Sequence, residues 1–173
     1  MKTEEIKKFI LDVPDFPKKG VVFKDITPLL NNYDTFSETV KLLSAPFKGK
    51  GITKVLGVES RGFLLSTPVA LELGVGMVPV RKKGKLPRKT INASYALEYG
   101  TDTLEMHEDA LKRGDKVIIV DDVLATGGTC CAVMEMVEKL GAQTVAAVFL
   151  IELEFLGGTS KLKGTPVHSL IKY

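Results

Sequence analysis

Runs of apolar residues separated by glycine-bearing loops organise the chain. Residues 54–58 (KVLGV) read as a short apolar strand, while 116–120 (KVIIV) is a continuous apolar run, the mark of a strand buried on both faces of a sheet, and 144–151 (TVAAVFLI) reads as another buried strand. Residues 76–81 (GMVPVR) read as a further strand. Between these runs the spacing lengthens to that of a helix. Val133, Met136, Val137 and Leu140 recur at i, i+3, i+4 and i+7 within residues 129–140, and Gly141 closes the run. Residues 63–73 read as a helix stopped by Gly74, and Phe36, Val40 and Leu43 mark one face of a helix over 33–43. Ile6, Phe9 and Ile10 predict an N-terminal helix over 3–11, capped by Thr3. Residues 13–30 are rich in proline and glycine and read as irregular but ordered; residues 81–90 read as a basic loop leading into a hairpin over 92–106.

Strand, loop, helix and strand repeated in this order define an α/β chain with a central, mostly parallel sheet flanked by helices. No repeat, low-complexity tract or linker divides residues 1–173, so one domain is expected over the whole length. Sheets of this kind bind ligands beyond the carboxyl ends of their strands. The loops after Val58, Val80 and Val120 are therefore the places to look.

Composition narrows the class. The chain is 45% hydrophobic and 26% charged, which fits a globular protein rather than a disordered one. Its net charge of +3 is too small a surplus to point to nucleic acid. No stretch approaches the ~20 apolar residues of a membrane span, and the charged start MKTEEIKKFI lacks the apolar core of a secretory leader. Cys130 and Cys131 are the only cysteines and are adjacent, so no disulfide framework is expected and a reducing cytoplasm is the expected compartment. A thiol at a helix start can ionise more readily, but a buried small hydrophobe is the plainer reading of this pair. His107 and His168 have no cysteine or histidine at ligand spacing, which leaves no zinc signature.

The strongest chemical signal is VIIVDDVLATGGT over 117–129. Asp121 and Asp122 stand where an apolar strand emerges, Gly127 and Gly128 follow in a short loop, and a helix then begins. Glycines let a backbone approach a ligand closely. Successive N–H groups at a helix start make a site for a phosphate dianion, to which the Thr126 and Thr129 hydroxyls add donors. Ionised carboxylates are acceptors only, so the pair suits a diol such as that of a ribose, and it would offset positive charge developing on the sugar ring. The loop lacks the Lys-Ser/Thr ending of a P-loop, and the chain contains no GxGxxG.

The run from Val120 to Thr129 resembles the phosphoribosyl-pyrophosphate motif of the type I phosphoribosyltransferases. The resemblance implies that family's fold, with an N-terminal base-binding segment and a flexible hood. It implies that Asp121 and Asp122 hold the ribose hydroxyls, and that Ala125, Thr126, Gly127, Gly128 and Thr129 bind the 5-phosphate. Three further stretches resemble the versions found in the family's adenine-using members. In Gly57-Val58-Glu59-Ser60-Arg61-Gly62-Phe63, the resemblance makes Glu59, Ser60 and Arg61 the pyrophosphate loop, with Arg61 suited to bidentate contact. The basic run RKKGKLPRKT over 81–90 has a solvated loop as its plainest reading. The resemblance turns it into a hood in which Arg81, Lys82 and Lys85 bind pyrophosphate, partly across a homodimer interface. It also makes Tyr99 a lid residue and Glu98 the group that handles the purine proton. Residues 15–28 (DFPKKGVVFKDITP) resemble the adenine-binding segment. There Phe23 would stack on the base opposite Val123, and backbone groups of Val22 and Lys24 would read its polar edge; from pattern alone, Val21-Val22-Phe23 is a buried edge strand.

The reaction implied is purine salvage, adenine plus 5-phosphoribosyl 1-pyrophosphate giving AMP and pyrophosphate. Mg²⁺ would be held mainly by substrate and water rather than by protein ligands. The partners implied are these small molecules and a second copy of the chain, with no nucleic acid and no membrane. Two alternatives stay open at this point: transfer to another base, and a regulator that binds the sugar diphosphate on the same fold.

Overall fold

The computed structural model describes residues 2–96 and 100–173. Seven strands form one sheet: β3 (Lys54–Val58), β4 (Gly76–Lys82), β5 (Thr90–Ala96), β6 (Thr101–His107), β7 (Lys116–Leu124), β8 (Gln143–Glu152) and β9 (Val167–Lys172). Their order across the sheet is β5-β6-β4-β3-β7-β8-β9. β4, β3, β7, β8 and β9 run parallel, while β6 and β5 extend one edge antiparallel. The main helices are α3 (Tyr33–Ser44), α4 (Arg61–Leu73) and α5 (Gly128–Lys139).

The continuous apolar runs arise because both faces are covered. On β7, Ile118 and Val120 pack into a core with Leu43 of α3 and Leu65 of α4, while Val117 and Ile119 pack with Val133 and Met136 of α5. All eight are fully buried, and each burial contributes about 1.5–3 kcal/mol relative to exposure. Gly74 ends α4 in the left-handed conformation (φ 70°), as its position predicts.

Four features differ from the sequence expectation. The N-terminal helix α1 spans only Thr3–Lys7, because the chain turns through Phe9 and Ile10 into a strand β1 (Leu11–Pro14). Ile6 and Ile10 are still buried, so the helical spacing was satisfied by one helix and a turn. Residues 13–30 are not irregular: β1 pairs antiparallel with β2 (Val22–Asp25), and α2 (Thr27–Asn31) follows. Proline and glycine density hid the hairpin, whose bend uses Asp15 at φ 58° and Gly20 at φ 88°. The basic loop is shorter than expected, since β4 runs to Lys82 and β5 starts at Thr90. Lastly, β9 was missed: VHSLIK is a half-exposed edge strand with no apolar alternation to betray it. Among the described residues no helix is long and apolar enough to cross a membrane.

Candidate active site

Three loops converge at the carboxyl ends of β3, β4 and β7. Parallel register aligns Val58 of β3 with Val80 of β4, and Gly57 with Val120 of β7. The residues just beyond these positions, Glu59, Arg81 and Asp121, therefore emerge together. A cleft of about 210 Å³ is lined by Glu59, Ser60, Arg61, Lys82, Asp121, Asp122 and Thr129, with Val58, Tyr95 and Leu104. A second recess of about 70 Å³ is lined by Ala125, Thr126, Gly127, Gly128 and Thr129, with Asp121, Val123, Leu124, Cys130 and Phe149. Asp121 and Thr129 border both. A wider groove of about 720 Å³ lies between β5 and α5, but apart from Gly128 it contains none of the residues expected to act. Convergent charge, rather than volume, distinguishes the smaller cleft.

The two carboxylates are unequal. Asp122 is 6% exposed, and its Oδ2 lies 2.7 Å from Arg61 Nη2. Asp122 also donates its backbone N–H to Asp121 Oδ1 (2.9 Å). Burial, and then the charge of Asp122, push the Asp121 carboxyl well above its ordinary value of 3.8. Gly62 lets the start of α4 come this close, since a methyl there would sit 2.7 Å from Asp121 Oδ1.

A pH dependence follows from the raised carboxyl. The native chain holds the Asp121 proton more tightly than the unfolded chain, so this group's contribution to stability falls as pH rises from the ordinary value through the raised one. Ligand-free Asp121→Asn should lose that slope in a series of melting temperatures against pH. A variant with the wild-type slope would contradict the assignment.

Arg61 joins three elements. Besides its contact with Asp122, Nη1 donates to the Lys24 carbonyl (3.2 Å), and the guanidinium lies 4.5 Å from the centroid of Phe23. Phe16 packs edge-on against Phe23 at 5.1 Å. Val123 is partly buried beyond the carboxylate pair, and Val22 is exposed on β2. The Lys24 ammonium is committed elsewhere, to Asp12 at 2.6 Å and over the Tyr173 ring at 3.7 Å.

The basic loop is tied down by carboxylates. Glu59 accepts from Arg81 Nε (3.0 Å), the Lys82 backbone N–H (2.9 Å) and Lys85 Nζ (2.6 Å). Burial works to raise the Glu59 carboxyl, but these donors outweigh it and hold the group below its usual range. Lys82 Nζ lies 3.2 Å from Asp102, and hydrogen bonding to that carboxylate raises the lysine further. Lys82 thus lines the cleft, whereas Arg81 and Lys85 turn onto Glu59. The sequence patterns assign no role to Tyr95 or Asp102. They are direct cross-strand partners on β5 and β6, so the alternation of the hairpin was the signal that could have brought them to this wall. The sequence expectations for Glu98 and Tyr99 lie outside the described residues. Cys130 is buried, and burial pushes its thiol up, which favours the small-hydrophobe reading.

A parallel sheet with an acidic pair, a glycine loop and an arginine turn at its carboxyl edge is an arrangement that suits a phosphorylated sugar. Residues 38–165 match the model of the phosphoribosyl transferase domain, and the chain belongs to that family. Within the family, the relatives it resembles include adenine phosphoribosyltransferases. The enzyme of that name from Carboxydothermus hydrogenoformans is 56% identical over 98% of this chain and 99% of its own length. The crystal structure of the adenine phosphoribosyltransferase from Thermoanaerobacter pseudethanolicus superposes with a TM-score of 0.97 at 50% identity, covering 99% of this chain and 100% of that one. The Saccharomyces cerevisiae enzyme, solved with adenine and an imino-altritol bisphosphate, superposes with a TM-score of 0.92 at 42% identity over 97% of each chain.

Proposed function

We infer that the chain transfers the 5-phosphoribosyl group of phosphoribosyl pyrophosphate to adenine, releasing AMP and pyrophosphate, as in purine salvage. The observation that carries this reading is the span of Arg61. One side chain touches Phe23, where a base would stack, and Asp122, where a ribose diol would bind, and it stands on the pyrophosphate turn itself. Full-length similarity to named adenine phosphoribosyltransferases supports adenine as the acceptor.

In this reading a purine nitrogen attacks the anomeric carbon while pyrophosphate leaves from the opposite face. Asp121 and Asp122 hold the 2- and 3-hydroxyls and offset charge on the sugar ring. The N–H groups of Ala125, Thr126, Gly127, Gly128 and Thr129 hold the 5-phosphate. Ser60 and Arg61 bind pyrophosphate. Lys82 reaches it from the cleft wall, with Arg81 and Lys85 released from Glu59 to join it; Glu59 acts through that basic loop. Val22 and Lys24 read the edge of adenine, with Val123 opposite Phe23. Glu98 handles the purine proton and Tyr99 closes the site. Excluding water protects the activated sugar from hydrolysis.

Mg²⁺ fits this donor set. It prefers hard oxygens, and the acidic groups here are Asp121 and Asp122; Asp122 Oδ2 is already paired with Arg61 Nη2 at 2.7 Å, so substrate and water would supply most of the ion's ligands. No group of three or more His, Cys, Asp or Glu able to hold a metal occurs among the described residues. When bound, it would offset charge on the pyrophosphate.

The test is to offer adenine, hypoxanthine, guanine, xanthine and orotate separately with phosphoribosyl pyrophosphate and Mg²⁺, and to follow nucleotide formation. AMP should form and the other nucleotides should not. Equal use of another base, or no transfer at all, would remove the reading.

We also propose a cytoplasmic homodimer. Its compartment is supported by two free cysteines. Its interface is supported by the apolar face of α3 and α4, where Tyr33, Leu71 and Leu64 are 82%, 77% and 48% exposed. Light scattering after gel filtration should give twice the single-chain mass for wild type and one chain for Leu71→Glu. A wild-type monomer would contradict the proposal.

A further inference from the structure

We propose that Gly158, held by the Thr159–Glu152 hydrogen bond, is the support that sets the position of the loop 125–129 and thereby the affinity for the sugar 5-phosphate. The proposal rests on the reading of that loop as the phosphate site. After β8, the chain passes behind the loop as two short 3-10 turns, Glu154–Leu156 and Gly158–Leu162. Neither was singled out by the sequence.

Contact between the two segments is backbone against backbone. A methyl on Gly127 would lie 2.7 Å from the Gly158 carbonyl oxygen. A methyl on Gly158 would lie 2.3 Å from the Ala125 carbonyl oxygen and 3.0 Å from Leu124 Cδ1. Carbonyl oxygens cannot rotate aside as a side-chain tip does, so a larger residue at 158 must push the two backbones apart. N–H groups that converge on a phosphate tolerate displacements of only about 0.5 Å.

The support is itself anchored. Thr159 Oγ1 donates to Glu152 Oε1 at 2.6 Å, and Glu152 is 8% exposed on β8. Leu162 is fully buried in the α5-side core. Cys131 Sγ, in the first turn of α5, contacts the Lys161 carbonyl at 3.3 Å. Leu153 donates its N–H to the Leu124 carbonyl at 2.9 Å. The segment thus grips the strand before the loop, the loop itself and the helix after it. Gly158 and Thr159 act as positioning residues through Ala125 and Gly127.

Neighbouring glycines separate this role from general stability. Gly158 does not occupy the left-handed region, so alanine suits its backbone and fails only on contact. Gly157 sits at φ 63° with nothing within 4 Å of an added methyl, so alanine there strains the backbone and touches nothing.

The experiment titrates the full chain with AMP and with adenine, and measures initial rates with both substrates varied. Gly158→Ala should raise the Kd for AMP and the KM for phosphoribosyl pyrophosphate about 10-fold or more, with constants for adenine within about 2-fold. Gly157→Ala should lower the melting temperature and leave all of these constants unchanged. Should Gly158→Ala fail to fold, the Thr159 pair carries the test: Thr159→Val raises the same two constants about 3-fold, and Thr159→Ser restores them. Unchanged constants in Gly158→Ala or Thr159→Val, or an equal rise in Gly157→Ala, overturn the proposal. A wild-type chain that binds AMP without making it refutes the reaction assigned above, and the AMP titrations still decide this proposal. A wild-type chain that does not bind AMP overturns both.

Discussion

Arg61→Ala should lower kcat for phosphoribosyl transfer by about 10²–10³-fold, the cost of removing a charged donor aimed at a departing anion in a partly closed site. The guanidinium stands at the start of α4, 2.7 Å from Asp122 and 4.5 Å from the Phe23 centroid. On the proposed reading its loss would remove bidentate contact with the leaving group, and it leaves a 6%-exposed carboxylate without its cation. Lysine keeps the charge but lacks the planar fork, so Arg61→Lys should recover only a small part of the loss. Steady-state kinetics of the two variants provide the check. Turnover close to wild type in Arg61→Ala would place the leaving group elsewhere.

Asp122→Asn should lower kcat/KM by at least about 10-fold, equal to about 1.4 kcal/mol of transition-state binding. Asparagine keeps the shape and removes the charge, so the effect reports electrostatics rather than packing. The same substitution removes the like charge that helps push Asp121 up. The acid limb of the pH–rate profile should therefore move to lower pH in the variant. Wild-type kinetics with an unmoved limb would detach the acidic pair from catalysis.

The parallel core and its active edge were legible in the sequence because double-sided burial forces unbroken apolar runs. Residues 116–120 and 144–151 could be little else, and both fall within strands β7 and β8. Asp121 and Asp122 were conspicuous because charges at the mouth of such a strand are costly unless something uses them. Elements held mainly by backbone hydrogen bonds at the surface were not legible. β1 and β9 carry few buried side chains, so no apolar period marks them; Val21-Val22-Phe23 does read as a buried edge strand, but Val22 on β2 is exposed rather than buried. Side-chain partners across elements were equally invisible. Nothing in the order of residues says that Glu59 would collect Arg81 and Lys85, or that Arg61 would cap Phe23. Gly158 was hidden for the same reason, since its importance lies in what Ala125 places 33 residues earlier.

The central claim is that the acidic pair and the glycine loop at the end of β7 grip one phosphorylated ribose. A crystal structure of the chain with AMP tests it most directly. The account predicts the ribose hydroxyls within hydrogen-bond distance of Asp121 and Asp122, the 5-phosphate among the backbone N–H groups of residues 125–129, and adenine against Phe23. AMP bound in the groove between β5 and α5, with its ribose away from both aspartates, would contradict it.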